Sequence, residues 1–117
     1  MSNKKSLVLE ALAGKAQPLG GLAEYAKNSI VSKILIDKGV GSITLFAFDD
    51  GQRLTEHTSP YDAFILIVDG TAAVTIGGRE QELSAGQAVI MPANIPHAVR
   101  AKGPFKMMLV MIRGEPS

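Results

Sequence analysis

The chain lacks cysteine entirely among its 117 residues. Disulfide frameworks, cysteine-based zinc sites, iron-sulfur clusters and thiol nucleophiles are thereby excluded, and any metal has to rest on His, Asp or Glu. Histidine is scarce too, with His57 and His97 the only two. No basic block is present: 12 Lys and Arg stand against 11 Asp and Glu, a net charge of +1. Nothing here is built to neutralise a run of phosphates, so nucleic acid is not an expected partner. Long apolar runs are missing as well. The longest, residues 63–68 and 107–112, fall far short of the roughly 18 to 20 residues that cross a bilayer. Lys4 and Lys5 ahead of Leu7, Val8 and Leu9 imitate the start of a secretory signal, but Glu10 ends that run. The expectation is a cytoplasmic protein with no membrane partner.

What is present is an ordinary globular balance, 46% apolar and 20% charged, in a length that suits one core rather than two. No internal repeat or low-complexity linker divides it. Residues 1–28 read as an arm, with one short helix over Ser6 to Ala13 closed by Gly14 and another over Leu22 to Lys27 after Gly20-Gly21. From Ser29 onward Val and Ile are enriched and turn signals recur about every 8 to 12 residues, the spacing of an all-β sandwich or barrel over 29–117. Predicted strands run over 30–36, 42–48, 63–68, 71–76, 79–83, 87–91, 97–101 and 105–112. Gly77-Gly78 between the fourth and fifth of these is a two-residue hairpin connection that tolerates positive φ.

Two predicted strands are apolar on both faces. Ile43, Leu45 and Ala47 alternate with Phe46 and Phe48, and residues 107–112 contain no polar side chain. A barrel strand normally shows one face to water, so an extra cover is required. The arm is too small to hide all of it, which predicts a homodimer that buries parts of 30–36 and 42–48; a charge at Phe46 or Phe48 should then either dissociate or unfold it, depending on which face is the interface.

From Gly51 the chain resembles the cupin family. That family's first motif runs Gly, five residues, His-x-His, three or four residues, Glu, six residues, Gly; Gly51, His57 and Gly70 match it. The second runs Gly, five residues, Pro-x-Gly, two residues, His, three residues, Asn, and Gly86, Pro92 and His97 match it in register. The resemblance covers about residues 30–113 and implies a cupin-like jelly-roll β-barrel with a pocket between its sheets. It departs at Ser59, where the second His belongs, at Ala63 for the Glu, at Asn94 for the Gly and at Ala101 for the Asn. The three-His, one-Glu metal site of the family is therefore reduced to His57 and His97.

Read on their own, His57 and His97 each sit beside a Pro-rich or polar turn at a strand start. Strand alternation puts Ser59 on the face of His57, and Ala63, Ile65 and Ile67 on one inward face, an apolar pocket floor. Asp62 is out of phase with Ala63 and points away unless a bulge at Pro60-Tyr61 intervenes. Three readings of the pair stay open. One is a weak site for a divalent metal (zinc, iron, manganese or nickel), completed by water, ligand or a carboxylate from Asp62 or Glu56. Another is a metal-free donor pair for an anionic or carbonyl ligand, titrating near neutrality. The third is a pair of structural histidines bonded to Ser59, backbone or water. Ser59 has no base and acid aligned behind it and reads as a hydrogen-bonding pocket residue. Met91, Met107, Met108 and Met111 read as core filling before ligand lining. At the level of function these readings correspond to a small-molecule binder using His57, His97 and Ser59, a metal-dependent dioxygenase, lyase or isomerase, and a non-catalytic structural or interaction module.

Overall fold

The computed structural model describes residues 6–114. Ten strands form two antiparallel sheets: β1 (Leu7–Val8), β2 (Ile30–Lys38), β3 (Gly41–Phe48), β4 (Arg53–His57), β5 (Asp62–Asp69), β6 (Thr71–Ile76), β7 (Arg79–Ser84), β8 (Ala88–Met91), β9 (His97–Ala101) and β10 (Phe105–Ile112). The larger sheet has the order β1-β2-β3-β10-β5-β8 and the smaller β4-β9-β6-β7. Their facing sides make the jelly-roll barrel. The Gly77-Gly78 hairpin forms with both φ angles positive, 57° and 82°, the twist that matches flanking strands. Gly70 is required for a different reason: a Cβ there would lie 2.2 Å from the Pro104 carbonyl oxygen, so only glycine lets the two turns approach.

Inward alternation on both sheets fills the space between them. Phe48, Ile65, Ile67, Val74, Val99 and Phe105 are buried together, with the Phe48 and Phe105 rings stacked at 4.5 Å between centroids. The outward face of the smaller sheet is charged, with Arg100 paired to Glu80 at 3.3 Å and Lys102 paired to Glu82. The outward face of the larger sheet is not. There Leu35, Leu45 and Ala47 form a second cluster, covered by Leu9, Leu12, Leu19, Leu22 and Ala23 of the amino-terminal segment. Lys106, buried on the same face, holds that segment down: its Nζ donates to the Gly20 carbonyl at 2.6 Å and lies 4.8 Å over the Tyr25 ring. Tyr25 in turn donates its hydroxyl to Asp69 at 2.5 Å. Burial, then the Asp69 carboxylate, push its phenol well above the ordinary range.

Several expectations are corrected here. The helix expected over Ser6 to Ala13 is absent: Leu7 and Val8 pair with Asp37 and Ile36 at the open edge of β2, and turns follow. An isolated helix of that length is unstable, and a free sheet edge offers hydrogen bonds without that cost. The second expected helix, over Leu22 to Lys27, is absent too; a four-residue 3-10 turn at Leu19–Leu22 precedes it and shares only Leu22. Strand β4 appears where none was predicted. Phe48 is fully buried in the core and Phe46 packs against it, partly buried, so the outer face of β3 is carried by Ile43, Leu45 and Ala47. No helix among the described residues is long and apolar enough to cross a membrane.

Candidate functional site

His57 closes β4, and His97 opens β9; the two are Cα partners in the antiparallel ladder. That position for His57 depends on an irregularity. Leu54 pairs with Val99 and His57 with His97, so three residues on β4 span two on β9. A regular strand would send Leu54 and His57 to opposite faces, whereas the bulge turns both to the barrel side, Leu54 half-buried and His57 at the exposed rim of the cavity. His57 thus ends a strand, against the expectation that it starts one.

The loops beyond the two histidines are tied to each other. The Asn94 N–H donates to the Ser59 carbonyl at 2.7 Å, and the Ala93 N–H donates to Asp62 Oδ1 at 2.8 Å. Asn94, where the family's second motif has glycine, keeps a left-handed backbone with φ +66°, a conformation asparagine tolerates better than most residues. Asp62 points out of the barrel, as its phase predicts. Glu56 lies on the outer face beside Arg53, Thr55 and Glu80. Neither carboxylate reaches the histidines' cavity, so the expectation that one completes a metal site does not hold.

The imidazoles meet at their Nε2 atoms, 3.1 Å apart, with ring centroids 4.3 Å apart and planes at 74°. Each Nδ1 faces the carbonyl two residues upstream, His57 to Thr55 at 2.9 Å and His97 to Ile95 at 3.1 Å. A carbonyl oxygen only accepts, so both Nδ1 atoms carry the hydrogen. In neutral rings both Nε2 atoms are then bare acceptors, aimed at one point. Two lone pairs at that distance repel unless a proton, a ligand hydrogen or a cation lies between them. Burial holds His97 below its ordinary pKa of 6.5, and the neighbouring His57 acts the same way, against the hydrogen bond to Ile95.

The pair opens on a cavity of about 60 Å³ walled by Leu54, Ala63, Met91, Val99, Met107, Leu109 and Met111, with Ser59 at its edge. Ala63 and Ile65 lie on the interior face, as expected. Ser59 shares the cavity, but its hydroxyl accepts the Tyr61 N–H at 3.2 Å and makes no bond to either imidazole. Met91 and Met107 serve both as core and as cavity wall, and Met111 lines the cavity; Met108, one residue out of phase, does not line it. Larger hollows of about 240 Å³ each lie on the outer faces of the sheets, away from the histidines. Among the described residues no group of three or more His, Asp or Glu side chains is placed to hold a metal. Leu54 in the cavity wall was not among the expected residues, and neither were the Thr55 and Ile95 carbonyls, since a backbone acceptor carries no residue signature.

Comparison with known proteins agrees with this architecture. A conserved protein of unknown function from Streptococcus pyogenes superimposes with a TM-score of 0.84 and 32% identity over 99% of this chain and 98% of its own. A cupin superfamily protein from Desulfitobacterium hafniense gives 0.81 and 30% over 95% of this chain and 98% of its own. The polyketide synthase CurC of Streptomyces cyaneus is 25% identical over 84 residues, 71% of this chain and 54% of that protein, so the chain spans about half the length of this curated relative. The family profile described as Cupin domain matches residues 44–113. With that match over more than half its length, and with both histidine motifs in register, the chain belongs to the cupin family.

Proposed function

We propose that the protein binds a small molecule in its barrel cavity, with the molecule's polar end on the Nε2 atoms of His57 and His97. The observation that carries this reading is the commitment of both Nδ1 hydrogens to backbone carbonyls while the two Nε2 atoms converge at 3.1 Å. In the neutral state the pair is an acceptor, suited to a hydroxyl or acid hydrogen from the ligand. Donation to an anion requires a proton on Nε2, which burial disfavours at His97, so an anionic ligand binds better at acid pH, where that proton is present. The walls select an apolar body. At about 60 Å³ the cavity is well below the roughly 300–1,000 Å³ of drug-sized sites, which restricts the ligand to a few heavy atoms beyond what the flexible methionines yield. Ser59 takes no nucleophilic role in this reading, because no base hydrogen-bonds its hydroxyl.

Calorimetric titration with short aliphatic alcohols and carboxylic acids tests this. Saturable binding by the native protein and its loss in both His57→Ala and His97→Ala supports the reading. Equal binding in the variants, or none across the series, contradicts it.

A second reading rests on the same 3.1 Å separation. Two nitrogens sharing an ion at about 2.0–2.1 Å lie roughly 2.9–3.4 Å apart. The donor set, however, stops at two, one short of a catalytic zinc site. A divalent ion here would act as a Lewis acid, held weakly and lost to a mild chelator. Ser59→His with Ala63→Glu restores the family's ligand set and should raise metal affinity by orders of magnitude, read by elemental analysis after dialysis.

A further inference from the structure

The wall of the cavity that holds the two imidazoles takes three of the chain's five methionines, Met91, Met107 and Met111, and no acid. Two of the three stand together. Met111, Ala63 and Met91 are successive Cα partners on β10, β5 and β8, so with strands about 4.8 Å apart a thioether flanks the small Ala63 methyl on each side. That row lies at the histidine end of the larger sheet. Residues 92–96 lead from Met91 to His97 and residues 58–61 from His57 to β5, and the two loops are tied by the Asn94 N–H to the Ser59 carbonyl and the Ala93 N–H to Asp62. Met107 lies farther along β10, opposite Ile67 in the core.

We infer that this cavity is a site for a soft monovalent cation, the cuprous ion, held by Nε2 of His57 and His97 and by the Sδ atoms of Met91 and Met111. The inference rests on the convergent acceptor pair of the proposed function and gives that pair a cation of one class. Sulfur supplies the first argument. A thioether is a soft ligand that selects cuprous ion, whereas magnesium, calcium and manganese take carboxylate, carbonyl and water. Charge supplies the second. All four donors are neutral and no Asp or Glu lines the cavity, so a divalent ion would carry two uncompensated charges into it and a monovalent ion only one.

Geometry supplies the third argument. At metal–imidazole bonds of about 2.0–2.1 Å, nitrogens 3.1 Å apart subtend about 100° at a shared ion. A linear two-coordinate ion would need them about 4 Å apart, so the pair as folded calls for further ligands. The wall offers only the methionine sulfurs and the Ser59 hydroxyl, which already accepts the Tyr61 N–H. Methionine is unbranched and adjusts its sulfur to an ion more readily than a stiff side chain does. The Thr55 and Ile95 carbonyls complete the arrangement: by holding the Nδ1 hydrogens they fix Nε2 as the ligating atom of each ring and raise its basicity.

Anaerobic titration of the full chain with cuprous ion, in competition with a chromogenic cuprous chelator, tests the inference. One ion should bind per chain. Met91→Leu with Met111→Leu, which conserves volume, should lower cuprous affinity about 100-fold or more and leave zinc affinity unchanged, since zinc draws little from a thioether. Carbon-13 labelling of the methionine methyl groups reads the same site in the native protein without any variant. The Met91 and Met111 resonances should shift with the added ion, while that of Met108, which does not line the cavity, should stay. Cuprous binding that the double variant leaves intact, an equal fall for zinc, or methyl resonances of Met91 and Met111 that do not move would each overturn the inference, and would overturn it alone if short alcohols and carboxylic acids still bind through His57 and His97. A native protein that takes neither cuprous ion nor those molecules overturns this inference and the proposed function together.

Discussion

The two sheets differ in what they show on their outer faces, and the difference sets how each strand must be read. Outside the bulged β4, the smaller sheet obeys simple alternation: Val74 and Val99 point in, while Arg100, Glu80, Glu82 and Lys102 point out and pair with one another in water. The larger sheet is apolar on both sides. Its inner face makes the core and the cavity wall; its outer face is divided between the amino-terminal segment and bare rows around Val110. Alternation alone therefore identifies the inside of one sheet and leaves the other undetermined. Cover, rather than polarity, tells the two faces of the larger sheet apart.

Substitutions on the two outer faces should differ accordingly. Leu45→Ala, beneath the amino-terminal segment with no exposed surface, should cost about 2–5 kcal/mol of stability, as buried leucines do. Chemical denaturation measures this, and a loss below about 1 kcal/mol would mean the segment does not cover the sheet. Lys106→Ala removes the hydrogen bond to Gly20 and the contact with Tyr25. It should cost about 1–3 kcal/mol, with faster amide exchange confined to residues 7–25. Exchange that rises uniformly instead would show that Lys106 does not fasten this segment in particular.

A pH titration separates the inner from the outer face of the smaller sheet. Burial lowers the folded-state pKa of His97 below 6.5, so the unfolded chain takes up the proton more readily than the native one. The associated stability is fully present above pH 6.5 and is lost as pH falls from there through the folded-state value. Denaturation midpoints between pH 5 and 8 should show that loss in the native protein and not in His97→Gln. The smallest effect belongs to the outer face of the same strand. Arg100→Ala breaks only an exposed pair with Glu80 and should change stability by less than about 1 kcal/mol; a larger loss would show that the charged face is covered in solution.

Where turn chemistry and alternation agree, the sequence is sufficient. β6, β9 and β10 begin and end at the expected residues, bounded by Gly70, Gly77, Pro96 and Pro104. β4 escaped because Arg53, Thr55, Glu56 and His57 make it polar, and its one regular inward apolar residue, Leu54, cannot set a period across a bulge. The amino-terminal segment was misread because its conformation is decided by the edge of β2 and by Leu45 beneath it, neither of which is local. The two histidines were legible from motif spacing, as was the outward phase of Asp62. Their protonation pattern was not, since it depends on two backbone carbonyls. That β3 and β10 are apolar on both faces was equally plain, but which outer residues lie bare follows only from the register across six strands.

The hydrogens on the two imidazoles decide the chemistry of the site. Long-range proton-nitrogen correlation spectra of nitrogen-15-labelled protein at pH 8 read them directly. Both rings should show a protonated Nδ1 and a bare Nε2, with the Nε2 resonances moving together when a hydroxylated or acidic molecule occupies the cavity. A protonated Nε2 on either neutral ring would contradict the convergent acceptor pair on which the proposed function rests.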